Sequence, residues 1–262
     1  MGSLIEVNNL SKTYKIKSNW FSKKKVEVLQ PISFKLDARE TLGVIGEVGS
    51  GKSTLAKLLV GAARPTTGDI SLNGQLLQTG NFKQRCQHVR MIFQDAANTL
   101  NPSLTIRQQL EEPLKLNTRL DLDERNQMIR ATLQKVGLLP DHMHFYPHMF
   151  SGGQKQRISL ARAIILQPQL VILDEALAAL DLSIRAQMIN LLLDLQEQMG
   201  LSYLLISHDI AEVEHFCDKL MVLRDGKVVE YGTTQEVIAN PKDKYTKKLI
   251  LSQRKRSSFA KT

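Results

Sequence analysis

A chain of 262 residues, 42% of them hydrophobic, can bury a large core as one large or two closely packed domains. It has no apolar run near the ~20 residues of a membrane span and no basic-then-apolar start of a secretory signal. Cys86 and Cys217 have no metal-ligand spacing and read as free thiols of a reducing compartment. The net charge of +9 leaves three readings open: nucleic acid, an anionic membrane surface, or solvated basic segments.

In chain order, Leu4-Ile5-Glu6-Val7 begins a strand, and Glu27-Val28-Leu29 with Ile32-Ser33-Phe34-Lys35-Leu36 continue in period 2. Between them lies a basic insert, residues 15–25, carrying Trp20. Residues 242–256 form a second basic cluster. Neither cluster is interleaved with the aromatics of a single-strand groove.

Leu42, Val44 and Ile45 then read as a buried strand, and Leu55, Leu58 and Leu59 recur at helical spacing. Between strand and helix stands Gly46-Glu47-Val48-Gly49-Ser50-Gly51-Lys52-Ser53-Thr54, with the spacing G-x-x-x-x-G-K-S of a phosphate-binding loop. Glycines let successive backbone N–H groups turn toward phosphate oxygens, and the helix start adds positive potential. Lys52 supplies a point charge for the outer phosphates, and the Ser53 hydroxyl suits a magnesium ion. The competing view, a glycine-rich turn before a helix, does not account for Lys-Ser at this place. The loop predicts a nucleoside triphosphate.

Residues 68–74 read as a hairpin edge turning at Asn73-Gly74. Gln94 ends the strand Met91-Ile92-Phe93, where its amide would reach the magnesium or an attacking water. Ile106, Leu110, Leu114 and then Met128, Ile129, Leu133, Val136 mark amphipathic helices. Ser151-Gly152-Gly153-Gln154 opens another helix, with Ser151 at the N-cap and glycines baring N–H groups. It is a second anion-binding helix start, suited to the γ-phosphate of a nucleotide held by another copy or partner.

From Leu170 to Val222 strands and helices alternate, which predicts a parallel sheet. Leu170-Val171-Ile172-Leu173-Asp174-Glu175 is an apolar strand that delivers two carboxylates at its C-terminal end, where open sheets place ligands. Asp174 would hold magnesium, and Glu175 would polarise the attacking water. Residues 188–195 read as a helix and 203–206 as a buried strand. His208 stands at that strand's end, where its ring would touch the γ-phosphate or cap the next helix. Residues 221–223 form a further strand, and Asp225-Gly226 turns into Lys227-Val228-Val229. The tail after Arg254 looks disordered.

Together, in this order, these motifs and Leu180-Asp181 resemble the ATP-binding cassette (ABC) family of transport ATPases, over residues 4 to about 250. The resemblance implies an α/β P-loop NTPase with a RecA-like parallel-sheet core, an N-terminal antiparallel β subdomain and an inserted α-helical subdomain. Residues 1–94 and 166–250 would form the ATPase core with the β subdomain, 95–165 the helical insert with the signature motif, and 251–262 a flexible basic tail. Two cassettes would meet head to tail, the phosphate loop of one and residues 151–154 of the other enclosing each ATP with Mg2+. Tyr14 matches the aromatic that stacks on adenine, a core tyrosine being the other view, and Asp181 the loop that crosses between protomers. Phe150 and Ala178 depart from the family's usual Leu and Ser, and Asp95-Ala96 from its frequent Asp-Pro. With Glu175, Lys52 and His208 retained, an active ATPase is expected.

Asn98-Thr99-Leu100-Asn101-Pro102, the insert with Trp20-Phe21, and Asn240-Pro241 before Tyr245-Thr246-Lys247-Lys248-Leu249 look like ATPases of dipeptide and oligopeptide importers. Val136-Gly137-Leu138-Leu139-Pro140-Asp141-His142 with Tyr146-Pro147-His148-Met149 and Asp174-Glu175-Ala176-Leu177-Ala178 are similar to the Sap peptide uptake ATPases, linked to antimicrobial-peptide resistance in Gram-negative bacteria. Relatives that pump nickel or glutathione carry similar cassettes. The implied partners are a paralogous ATPase (a homodimer being possible), two integral-membrane permeases and, indirectly, a periplasmic binding protein, at the cytoplasmic face of the inner membrane. A soluble cassette acting on nucleic acid or ribosomes usually shows a long coiled coil or tandem cassettes, absent here, so no nucleic-acid partner is expected.

Overall fold

The computed structural model describes residues 2–19, 22–78, 80 and 82–259. The chain divides into two compact units, Met1–Phe82 with Ser202–Thr262, and Lys83–Leu201.

The first unit opens with a long antiparallel hairpin, β1 (Ser3–Asn19) and β2 (Ser22–Asp37). Lys15 pairs with Lys25, and Asn19 with Ser22. The basic insert therefore continues the two strands rather than interrupting them; Trp20 and Phe21 lie outside the described residues. β4 (Thr67–Leu72) joins the other edge of β1, and β5 (Gln75–Leu76) folds back on it through Asn73-Gly74, whose φ values of 48° and 74° suit a two-residue hairpin turn.

In the same unit β3 (Thr41–Ile45) lies between two parallel neighbours, β8 (Ser202–Ile206) and β9 (Lys219–Arg224). Both β3 and β8 are buried along their whole length, as strands covered on two faces must be, so their sequences are mostly apolar after a leading Thr41 and Ser202. β10 (Lys227–Thr233) pairs antiparallel with β9 after Asp225-Gly226, again with two positive φ values, 49° and 76°. Helix α1 (Lys52–Val60) follows β3, and α7 (Ile210–Phe216) follows β8. A Cβ on Gly43 would stand 3.0 Å from Cys217 Sγ and 3.1 Å from Val213, so glycine lets the end of α7 close onto β3. Cys217 is a free, buried thiol, pushed up by that burial. α8 (Thr234–Ala239) and α9 (Lys244–Phe259) complete the unit. The backbone of α9 stays helical through Phe259, where the sequence predicts a disordered tail.

The second unit holds α2 (Phe82–His88) from its second residue onward and the parallel pair β6 (Val89–Phe93) and β7 (Leu170–Asp174). Around them stand α3 (Ile106–Asn117), α4 (Leu122–Lys135), α5 (Gly152–Ile164) and α6 (Leu182–Met199). The residues read as an amphipathic stripe are its core. Ile106, Leu110, Leu114, Ile129, Leu133 and Val136 are fully enclosed, while Met128 is half-buried. Thr105–Gln108 and Asp121–Glu124 capping boxes fix where α3 and α4 begin.

Among the described residues no helix is long and apolar enough to cross a membrane.

Candidate functional site

The phosphate loop leaves the buried strand β3 and ends in α1. Leu55 N–H donates to Gly51 C=O at 2.9 Å, closing the first helical turn, and α1 has no side-chain cap. In this α1 differs from α3, α4 and α5, each of which begins under a side-chain cap. Such a bare helix start, following a turn of glycines, is a place for a phosphate. Two glycines are obligatory. A Cβ on Gly46 (φ 157°) would lie 2.2 Å from Leu223 C=O, and one on Gly51 (φ 107°) 2.9 Å from Val28 C=O. The tip is open: Val48 is fully exposed, and Glu47, Gly49 and Ser53 are exposed, with Thr54 half-buried.

Lys52 is held inside this turn. Its ammonium donates to Gly46 C=O and Glu47 C=O, each at 2.8 Å, and lies 3.4 Å from Ser50 Oγ. Only 7% of the residue is exposed. From outside the loop, Gly226 N–H donates to Ser50 C=O at 3.0 Å, and Glu47 N–H to the Tyr245 hydroxyl at 2.9 Å.

Also in this unit, Tyr14 sits on β1 opposite Val26, half-buried and so outside the core, with Lys12 Nζ 4.8 Å from its ring centroid. His208 is exposed in the turn from β8 to α7. It is Asp209, and not His208, that caps α7, accepting from Ala211 N–H at 2.8 Å. Buried Ser207 donates to Glu212 at 2.6 Å and accepts from Asp209 N–H at 2.9 Å, which fixes the turn that presents His208.

The second unit gathers the other motifs. Asp174 ends β7 half-buried. Glu175 follows with φ 50°, a left-handed conformation that costs a non-glycine residue about 1–3 kcal/mol. The strain turns the chain sharply at the strand's end, and Ala178 N–H closes the turn on Glu175 C=O at 3.2 Å. Gln156, buried on α5, donates to Ala176 C=O at 2.8 Å. Arg185 donates to Leu180 C=O at 3.1 Å. The segment after the two carboxylates is thus tied to both α5 and α6.

Ser151 caps α5 in a reciprocal box: Gln154 N–H donates to Ser151 Oγ at 3.3 Å, and Gln154 Oε1 accepts from Ser151 N–H at 3.0 Å. A Cβ on Gly153 would press on Ile184 at 3.0 Å, whereas one on Gly152 would meet open space. Gly153 therefore lets α5 approach α6, while the space beside Gly152 in the capped first turn is open. Asp181 caps α6 by accepting from Ile184 N–H at 3.0 Å. That bond, with the Ser183 hydroxyl, holds its carboxyl below the usual range. Phe150 is buried with its ring edge-on to His142 at 5.2 Å and 6.1 Å from Phe145. Gln94, just after β6, is exposed.

Sequence reasoning missed Gln156, Tyr245 and the Ser207–Glu212 pair. Gln156 carries a faint signal, a polar residue on the inner face of α5. Tyr245 stands 198 residues from its partner Glu47, and nothing local marks the link.

The family model for the ABC transporter matches residues 29–178. The chain is 48% identical to the "Peptide transport system ATP-binding protein SapF" of Salmonella typhimurium and 49% to the "Putrescine export system ATP-binding protein SapF" of Escherichia coli. Each match covers 95% of this chain and 92% of the relative. The "Dipeptide transport ATP-binding protein DppF" of Escherichia coli is 43% identical over 94% of this chain and 75% of its own length. Among solved structures, the ATP-binding cassette MJ0796, a dimer in a post-hydrolysis state with ADP and Pi, superposes with a TM-score of 0.75. It is 26% identical over 88% of this chain and 98% of that one.

Proposed function

Since the chain belongs to the ABC transporter family, we propose that it is the ATP-hydrolysing subunit of a bacterial peptide importer, working at the cytoplasmic face of the inner membrane. The observation that carries this reading is the phosphate loop, a bare helix start with Lys52 held in its turn. In it the triphosphate lies against the amides of residues 49–54, its outer oxygens facing Lys52, while Tyr14 stacks on the adenine.

Ser53, Gln94 and Asp174 supply a hydroxyl, a carboxamide and a carboxylate. This all-oxygen set suits a hard dication such as Mg2+, which when bound neutralises charge on the phosphates. Glu175 takes the proton of the attacking water, help worth roughly 10²–10⁴ in rate, and His208 donates to the γ-phosphate. The strained turn at Glu175, tied down by Gln156, fits a group that must be held in place.

Residues 151–154 complete the nucleotide site of a second cassette, and Asp181 crosses to it; the dimeric ADP-bound relative supports this pairing. The second cassette is a paralogue or another copy of this chain. ATP favours the closed pair over the open one, and that difference drives the permeases. The helical stretch 95–165 docks the two permeases, which a periplasmic binding protein feeds, and the core of 1–94 with 166–250 binds nucleotide.

Peptide cargo follows from the likeness of residues 240–249 to peptide importers and from two of the relatives' names. The relative named for putrescine export favours a second reading, polyamine cargo moved outward. Affinity purification from membranes, with companions identified by mass spectrometry, tests the assignment. Two hydrophobic permeases and a paralogous cassette support it; ribosomes or nucleic acid in their place refute it. Stimulation of the recovered complex by peptides or by putrescine decides the cargo.

A further inference from the structure

We propose that Tyr245 is a positioning residue for the phosphate loop, through which the C-terminal helix α9 sets how tightly the loop holds a triphosphate; this rests on the ATP reading above. The N–H of Glu47 and the C=O of Gly46 are the two polar edges of one peptide plane. Tyr245 Oη accepts from the first at 2.9 Å, and Lys52 Nζ donates to the second at 2.8 Å. With both edges held, the plane cannot rotate, and the carbonyl that anchors the Lys52 ammonium stays in place. Loss of the tyrosine hydroxyl frees the plane on one side and lets the lysine's anchor turn.

The ring is itself fixed. Tyr245 is 8% exposed, and the Arg224 guanidinium stands 4.9 Å from its centroid. The start of α9 is pinned to β10: Glu230 accepts from Lys242 N–H at 2.8 Å and Asp243 N–H at 3.1 Å. Asp243 Oδ1 in turn accepts from Tyr245 N–H at 2.7 Å and Thr246 N–H at 3.3 Å. A continuous path thus runs from β10 through the first turn of α9 to the phosphate loop, and every member belongs to the first unit. Any event that pulls on α9 acts on the loop through it.

Tyr245→Phe removes the hydroxyl and keeps the ring. Tyr231→Phe is the control, removing a hydroxyl that donates to Lys35 C=O at 3.0 Å in the same unit. Calorimetric titration of the full chain with Mg2+ and ATPγS should show binding about fivefold weaker in Tyr245→Phe, the worth of one net hydrogen bond. Tyr231→Phe should stay within twofold of the unaltered chain. Amide hydrogen exchange at Glu47 should quicken only in Tyr245→Phe, and KM for ATP should rise with kcat little changed. Unaltered affinity together with unaltered Glu47 exchange in Tyr245→Phe overturns the proposal while leaving the ATP reading intact. Absence of ATPγS binding in the unaltered chain overturns that reading and the proposal with it.

Discussion

Gln156→Leu separates the strained turn at Glu175 from the helix that holds it. Gln156 is 4% exposed and Ala176 2%, so the bond between them, 2.8 Å long, is shielded from water. Leucine keeps most of the volume but leaves the Ala176 carbonyl buried without this donor, a loss of about 1–3 kcal/mol. At about 2–4 °C per kcal/mol for a chain of this size, the melting midpoint should fall by several degrees. Catalysis should suffer more. Glu175 adjoins the freed carbonyl, and a displacement of about 1 Å can cost ~10²-fold in rate. ATPase assays on the purified complex should show kcat reduced about 10- to 100-fold, with KM within about twofold because the phosphate loop is untouched. A variant that melts several degrees lower yet turns over at the unaltered rate would refute the positioning argument.

Gly46→Ala puts a methyl 2.2 Å from the Leu223 carbonyl, and titration with Mg2+ and ATPγS should show binding lost, since backbone cannot yield as a flexible side chain does. The second unit should weaken in acid through Glu111, which is 3% exposed and ringed by Lys115 at 3.0 Å, Arg125 at 3.0 Å and Arg107 at 3.8 Å. Burial pushes its carboxyl up, but the hydrogen bonds from Lys115 and Arg125 outweigh it and hold the group below its ordinary 4.5. A depressed carboxyl stabilises the fold fully above that value and loses its contribution as pH falls through it toward the lower folded value. Unfolding midpoints followed from pH 7 downward should therefore fall more steeply below about pH 4.5 in the unaltered chain than in Glu111→Gln.

The motifs that sequence made legible are the ones with local causes. The phosphate loop follows from glycine geometry, the capping boxes from side chains three residues apart, and the turns Asn73-Gly74 and Asp225-Gly226 from residues that tolerate positive φ. The stripe from Ile106 to Val136 was readable because burial on a helix imposes its own period. What sequence hid depends on distant partners. The insert at residues 15–25 reads as a charged interruption, because pairing Lys15 with Lys25 sets like charges opposite each other; the hairpin it extends is visible only once β1 and β2 are aligned. Tyr245 looked like one residue of a tail motif until Glu47 was found against it. The left-handed backbone of Glu175 has no signature in the apolar run Leu170-Val171-Ile172-Leu173 before it.

The assertion that a triphosphate at Lys52 is closed by the Ser151 helix start of another cassette is tested most directly by Glu175→Gln. With Mg2+ and ATP, analytical ultracentrifugation of this variant with its co-purified cassette should show a stable pair that retains ATP and releases no phosphate. A lone protomer hydrolysing ATP at the unaltered rate would contradict it.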